Sequence, residues 1–173
     1  MNTQFANGLM QLTPGFCGTF PCDMIPRPKP FTSFIVNTDT SAFGGEHWVA
    51  VYIARRNFYF FDSFGRTIGQ FPDPFKSYMK QASKNFNVRT SSRLLQSYKS
   101  DTCGFWAVFF LYCKHANYTL MFKQFTNDRE RNEMMLYYFM KFELKLMPDF
   151  MQGFKLTQKQ KIKLLELRLN IVN

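Results

Sequence analysis

The sequence predicts an α+β fold, and three observations carry that reading. Short runs rich in β-branched and aromatic residues fall before Gly65, and helical spacing dominates the rest of the chain. Between them in importance stands "SDTCGFWAVFFLYC", Ser100 to Cys113, which from Thr102 onward is apolar on every face, as a helix buried in a domain is. With 173 residues, 22 of them Phe, and 46% apolar types, the chain is read as one domain over 1–173 that packs a core without disulfides or a structural metal.

Residues 1–15, "MNTQFANGLMQLTPG", form an N-terminal segment without the basic start and long apolar core of a signal peptide. "PCDMIPRPKP" carries four prolines, which fix φ and remove backbone donors, so residues 21–30 are expected as an extended strap. "FTSFIVNT" is expected as a strand, and "HWVAVYIA" and "NFYFFDSFG" as a hairpin turning at Arg55, Arg56 and Asn57. In "PDPFKSYMKQASKNF", Phe75, Tyr78, Met79, Ala82 and Phe86 recur at helical spacing and Pro74 opens the helix. "NVRT" reads as a short strand, and "SSRLLQSYKSD" as a polar connection into the buried helix. "NDRERNEMMLYYFMKFELKLM" reads as a long helix with Asn127 and Glu130 as a capping pair and Pro148 at its end. Residues 156–173 are expected as a basic amphipathic helix with Thr157 and Gln160 as a capping box.

The formal charge of +10 and isoelectric point near 9.6 point to a polyanion as partner. Arg55 and Arg56 in the hairpin turn, Lys76, Lys80 and Lys84 on one helix stripe, and Lys159, Lys161 and Lys163 near the end are the candidate phosphate contacts. The alternative use of these residues is a solvated basic surface. Four cysteines, at 17, 22, 103 and 113, form no CxxC pair, and only two histidines accompany them, which argues against a zinc site and for reduced thiols. The longest apolar run, closed by Lys114, is too short to span a bilayer, so a soluble intracellular protein without a membrane partner is expected.

Cys103 opens the buried helix, where free backbone N–H groups and the macrodipole stabilise a thiolate. A nucleophile needs a base, and His47, at the start of a strand, suits this better than His115 at the far end of the helix. An imidazole base needs an acceptor to hold its tautomer, and Asp62 ends the neighbouring strand. The Cys103 N–H and the Gln96 side-chain amide are the candidate oxyanion donors. Each residue also has an ordinary structural use: a packed thiol, a structural histidine beside Trp48, a turn-capping Asp, a solvated Gln.

From about Phe16 to Tyr118 the chain resembles the adenovirus maturation protease family, whose fold the SUMO-specific proteases share. The matching pieces are "GTF" at 18–20, "IVNT" at 35–38, "GGEHW" at 44–48, "FFDSFG" at 60–65, then Gln96 and, seven positions on, "CGFW" at 103–106. The resemblance implies a cysteine protease fold, a central mixed sheet flanked by helices with the catalytic Cys at the N-terminus of a buried helix. It also implies roles: Cys103 as nucleophile, His47 as general base, Asp62 as its orienting acid, Gln96 as oxyanion donor, and Trp48 packed near the substrate. Asp62 departs from the adenoviral branch, which has Glu there, and agrees with the SUMO-specific branch.

What the resemblance further implies is a monomeric endopeptidase that cuts capsid and core precursors at Gly-containing, Leu-x-Gly-Gly-like sites in the virion or at the intracellular site of virus assembly. The source implied is an adenovirus relative, a virophage or a polinton-like element. The family is activated by DNA and by a peptide disulfide-linked upstream of the Gln. No cysteine lies between Cys22 and Cys103 here, which speaks against such a linkage, and Cys17 or Cys22 would have to serve instead. No metal is implied. Two other readings stand beside this one: an isopeptidase for ubiquitin-like modifiers using the same four residues, and an inert basic nucleic-acid-binding virion protein.

Overall fold

Apolar residues on both faces of its central strands make this chain build one five-stranded sheet and cover it on both sides. The computed structural model describes residues 2–144. The helix expected over 156–173, with Lys159, Lys161 and Lys163, lies outside the described residues, as does Pro148.

The strands are β1 (Phe16–Pro21), β2 (Thr32–Asn37), β3 (Trp48–Ala54), β4 (Asn57–Phe61) and β5 (Asn87–Thr90), paired in sequence order. β2–β3 and β3–β4 are antiparallel, whereas β1–β2 and β4–β5 are parallel, so the sheet is mixed. Parallel neighbours need a crossover. The proline strap supplies one between β1 and β2, and α2 (Asp73–Ala82) supplies the other between β4 and β5.

The helix α3 (Cys103–His115) lies against one face of the sheet, where Trp106, Phe109 and Leu111 pack with Ile35, Ala50 and Phe61. Phe61 stacks on Phe110 at 4.7 Å between ring centroids. On the other face α2 packs Phe75, Tyr78 and Met79 against Phe34, Val51, Phe58 and Phe60. The even apolarity of α3 matches this position: sheet on one side, α1 (Thr3–Met10) and α4 (Arg129–Tyr138) on the others.

The observed elements extend or correct the sequence reading at four places. The N-terminal segment contains α1, capped by Asn2, whose side chain accepts from the Phe5 N–H. β1 is an additional edge strand, interrupted by Gly18 at φ 122° and by a shift of register between Phe16 and Thr19, which hides its alternation. The cap of α4 is Asp128, which accepts from Arg131 N, not the Asn127–Glu130 pair, and past Tyr138 the helix widens into a π turn over Phe139–Glu143. Finally, α2 ends at Ala82, so Lys84 sits in the turn beyond it rather than on the stripe with Lys76 and Lys80.

Candidate active site

The hairpin β3–β4 brings the two ends of its strands together, and with them the residues at those ends. His47 immediately precedes β3 and Asp62 immediately follows β4. His47 Nε2 lies 2.6 Å from Asp62 Oδ1, and both side chains are buried. With Nε2 committed to the carboxylate, Nδ1 is left for the thiol of Cys103, the second side-chain partner of this imidazole. Cys103 is half-buried at the first position of α3, and its N–H belongs to the first-turn donors that have no intrahelical acceptor.

Asp62 is held from several sides. Oδ1 also accepts from Phe64 N at 3.2 Å, and Oδ2 accepts from Arg66 N at 3.0 Å and Arg66 Nε at 2.9 Å. Ser91 Oγ brackets its backbone, accepting from the Asp62 N–H and donating to its carbonyl. Burial opposes the charge of this carboxylate, but His47 and Arg66 outweigh it and hold Asp62 below the usual value. For His47 burial again opposes the charge, and hydrogen bonding and charge from Asp62 and Cys103 outweigh it, so the imidazole sits above the usual histidine value. Phe64 stacks on the imidazole at 5.0 Å and is itself covered by Tyr98 at 5.5 Å.

Gln96 is buried, and its amide is oriented at both ends. Ser63 Oγ donates to Oε1 at 2.6 Å, and Nε2 donates to the Ser100 carbonyl at 3.0 Å, which leaves the second N–H of Nε2 uncommitted. The backbone of Ser63 completes the link, its carbonyl accepting from Leu95 N and Gln96 N. The end of β4 thus anchors the His47 partner with one residue and the Gln96 amide with the next.

Two glycines make the close approaches possible. Gly65, at φ 65°, abuts the backbone of Arg93, where an added Cβ would meet the carbonyl carbon at 2.7 Å. Gly45, at φ 97°, leaves room for the Asn37 side chain in the loop that delivers His47, and an added Cβ would meet Asn37 Nδ2.

His47, Asp62, Gln96 and Cys103 therefore stand at one site, with half-buried Trp48 beginning β3 beside them. His115 stands apart, bonded to Ser33 Oγ at 2.9 Å and about 18 Å along α3 from Cys103 at 1.5 Å per residue. The basic residues proposed for nucleic acid also lie elsewhere. Arg55 and Arg56 are exposed in the β3–β4 turn, Lys80 and Lys84 are exposed, and Lys76 pairs with Asp73 at 2.8 Å.

The sequence reading missed Ser63, Phe64, Arg66, Ser91 and Glu133. The first three sit in or beside "FFDSFG" and were open to notice as polar and aromatic neighbours of Asp62. Ser91 and Glu133 reach the site only through long-range packing, which carries no local signal. Glu133 is buried, and burial pushes its carboxyl up while the hydrogen bonds of Ser100, Thr102, Trp106 and Ser97 pull it back. Among the described residues no group of three or more His, Cys, Asp or Glu is arranged to hold a metal, and no helix is long and apolar enough to cross a membrane.

The mixed sheet, with a thiol opening the buried helix and the His47 imidazole bonded to Asp62 at the neighbouring strand ends, is that of a cysteine protease fold. The crystal structure of the ASFV pS273R protease shares this fold, with a TM-score of 0.52 at 17% identity over 78% of this chain and 61% of that one. The chain belongs to the adenovirus endoprotease family, whose model matches residues 16–135. It is 31% identical over 121 residues to the protease of bovine adenovirus 4, covering 60% of this chain and 58% of that one. It is 28% identical over 120 residues to the protease of snake adenovirus serotype 1, covering 61% of this chain and 59% of that one. The chain thus matches less than two thirds of the length of these relatives.

Proposed function

We propose that this chain is a cysteine endopeptidase of virion maturation, acting through Cys103, His47, Asp62 and Gln96. The observation that carries the reading is the single imidazole with Asp62 on one nitrogen and the thiol of Cys103 as its other partner, at the start of a buried helix. The thiol proton passes to His47, and the thiolate adds to the scissile carbonyl carbon. The carbonyl oxygen, now negative, is received by the Cys103 N–H and the free N–H of Gln96 Nε2. His47 then protonates the leaving amine as the C–N bond breaks, and a thioester remains on Cys103. Water, giving a proton to His47, hydrolyses the thioester and restores the thiol. Asp62 stays ionised throughout and holds the imidazole in place.

The family supports precursors of virion proteins as substrates and a virion or assembly-site setting, and the resemblance to its motifs supports Gly-containing cleavage sites. Activation by DNA is part of the same proposal, with Arg55, Arg56, Lys76, Lys80 and Lys84 as its contacts. Cleavage of peptides drawn from capsid and core precursors tests the whole reading. Wild type is expected to cut them and Cys103→Ala to lose cleavage completely while its circular dichroism and thermal transition stay unchanged. Preferential turnover of ubiquitin-like conjugates would replace the maturation reading with the isopeptidase. Undiminished cleavage by Cys103→Ala would remove the nucleophile.

A further inference from the structure

Glu133, on the second turn of α4, contributes nothing to the chemistry described above, yet its buried carboxylate gathers the whole loop that joins Gln96 to Cys103. Oε1 lies 3.1 Å from Ser97 N, 2.9 Å from Ser100 Oγ, 3.0 Å from Thr102 Oγ1 and 3.2 Å from Trp106 Nε1, and Oε2 lies 2.9 Å from Thr102 Oγ1. Its charge is met by these dipoles, and no cationic side chain pairs with it among the described residues. Burying a carboxylate is costly unless hydrogen bonds satisfy it, and here the donors that do so tie the loop after Gln96 to the first turn of α3.

The geometry fixed here is that of the two oxyanion donors. Ser100 is held at both ends: its hydroxyl lies on Glu133 and its carbonyl accepts from Gln96 Nε2. Thr102 is the residue before Cys103, in the N-cap position of α3. A threonine there ordinarily accepts from an N–H of the first turn. Its hydroxyl is drawn instead to Glu133, and it makes no side-chain cap bond to α3. The residue that leads into Cys103 is thereby held in place by both oxygens of Glu133.

We infer that Glu133 is the positioning residue of the oxyanion site, setting the Gln96 amide through Ser100 and the start of α3, with the Cys103 N–H, through Thr102. The inference rests on the catalytic reading above. The test is a double-mutant cycle of Glu133→Gln and Gln96→Ala, read as kcat on a Leu-Arg-Gly-Gly aminomethylcoumarin peptide, with Cys103 alkylation by iodoacetamide measured on each variant. Alkylation is a displacement at carbon that builds no oxyanion, so it reports the thiol and His47 alone.

Gln96→Ala is expected to lose about 10²–10³-fold in kcat, and Glu133→Gln about tenfold or more. Alkylation is expected to stay near wild type in both variants, and the double variant is expected to lose clearly less than the product of the two single losses. An unchanged kcat in Glu133→Gln, an equal fall in its alkylation, or a double variant at the full product would each overturn the inference. If Glu133→Gln does not fold, Ser100→Ala breaks the same anchor and is read against the same outcomes. A Gln96→Ala variant that matches wild type would overturn the catalytic reading and this inference with it. A fall in Gln96→Ala with none in Glu133→Gln would overturn this inference alone.

Discussion

At the scale of the residue, the site is a question of which charges the protein holds in place. Asp62 sits below its usual value, so its ionised form favours the folded state. That contribution is present above the unfolded value of 3.8 and is lost as pH falls through the lower folded one. His47 is shifted the other way, so its contribution is present below 6.5 and is lost as pH rises through its higher folded value. Asp62→Asn removes the acceptor of His47 Nε2 and the partner of Arg66 together. The expected result is a loss of about 10³–10⁴-fold in kcat, together with lower stability at neutral pH and a flatter stability curve below pH 4. Thermal unfolding across pH, beside kinetics, checks both parts.

At the scale of the element, α3 carries the molecule. Phe109 is buried and packs edge-on against Trp106, Phe125 and Phe139, joining α3 to the segment that follows it and to the π turn beyond α4. Phe109→Ala is expected to cost about 3–5 kcal/mol, read as a fall in the urea midpoint without a change in slope. The unbroken apolar surface of α3 and the β-branched and aromatic runs of β2, β3 and β4 were legible in the sequence because they are written locally, residue by residue. Edge strand β1, with Gly18 and a register shift, and α1, whose apolar face needs α3 as its partner, had no such signature. At the site the same division holds. Cys103, His47, Asp62 and Gln96 stood out in the sequence as candidates by their chemistry, whereas Ser91 and Glu133 act across the fold, and only the packing of β5 and α4 brings them in.

At the scale of the whole molecule, a net charge of +10 on 173 residues sets how the protein meets its partners. The exposed Arg55 and Arg56 turn and the exposed Lys80 and Lys84 leave several cations in water, while Lys76 is engaged with Asp73. If these groups hold DNA, the logarithm of affinity falls linearly with the logarithm of salt, at about 0.9 per phosphate contact. Arg55→Ala with Arg56→Ala is expected to lower that slope by about two, and fluorescence anisotropy with a labelled duplex measures it. A flat salt response would remove nucleic acid from the proposal and leave the protease reading untouched.

The pairing of Cys103 with His47, on which the proposed chemistry depends, is tested without knowing any substrate. The measurement is the rate of iodoacetamide alkylation at each cysteine against pH, by peptide-mapped mass spectrometry, in wild type and His47→Ala. Cys22 and Cys113 are buried, with the Cys113 thiol pushed up to about 12, and exposed Cys17 serves as the internal reference. Cys103 is expected to react faster than Cys17 at neutral and mildly acidic pH, and His47→Ala to slow it by at least about tenfold. A Cys103 that reacts no faster than Cys17 in wild type, or at the same rate with and without His47, would contradict the account.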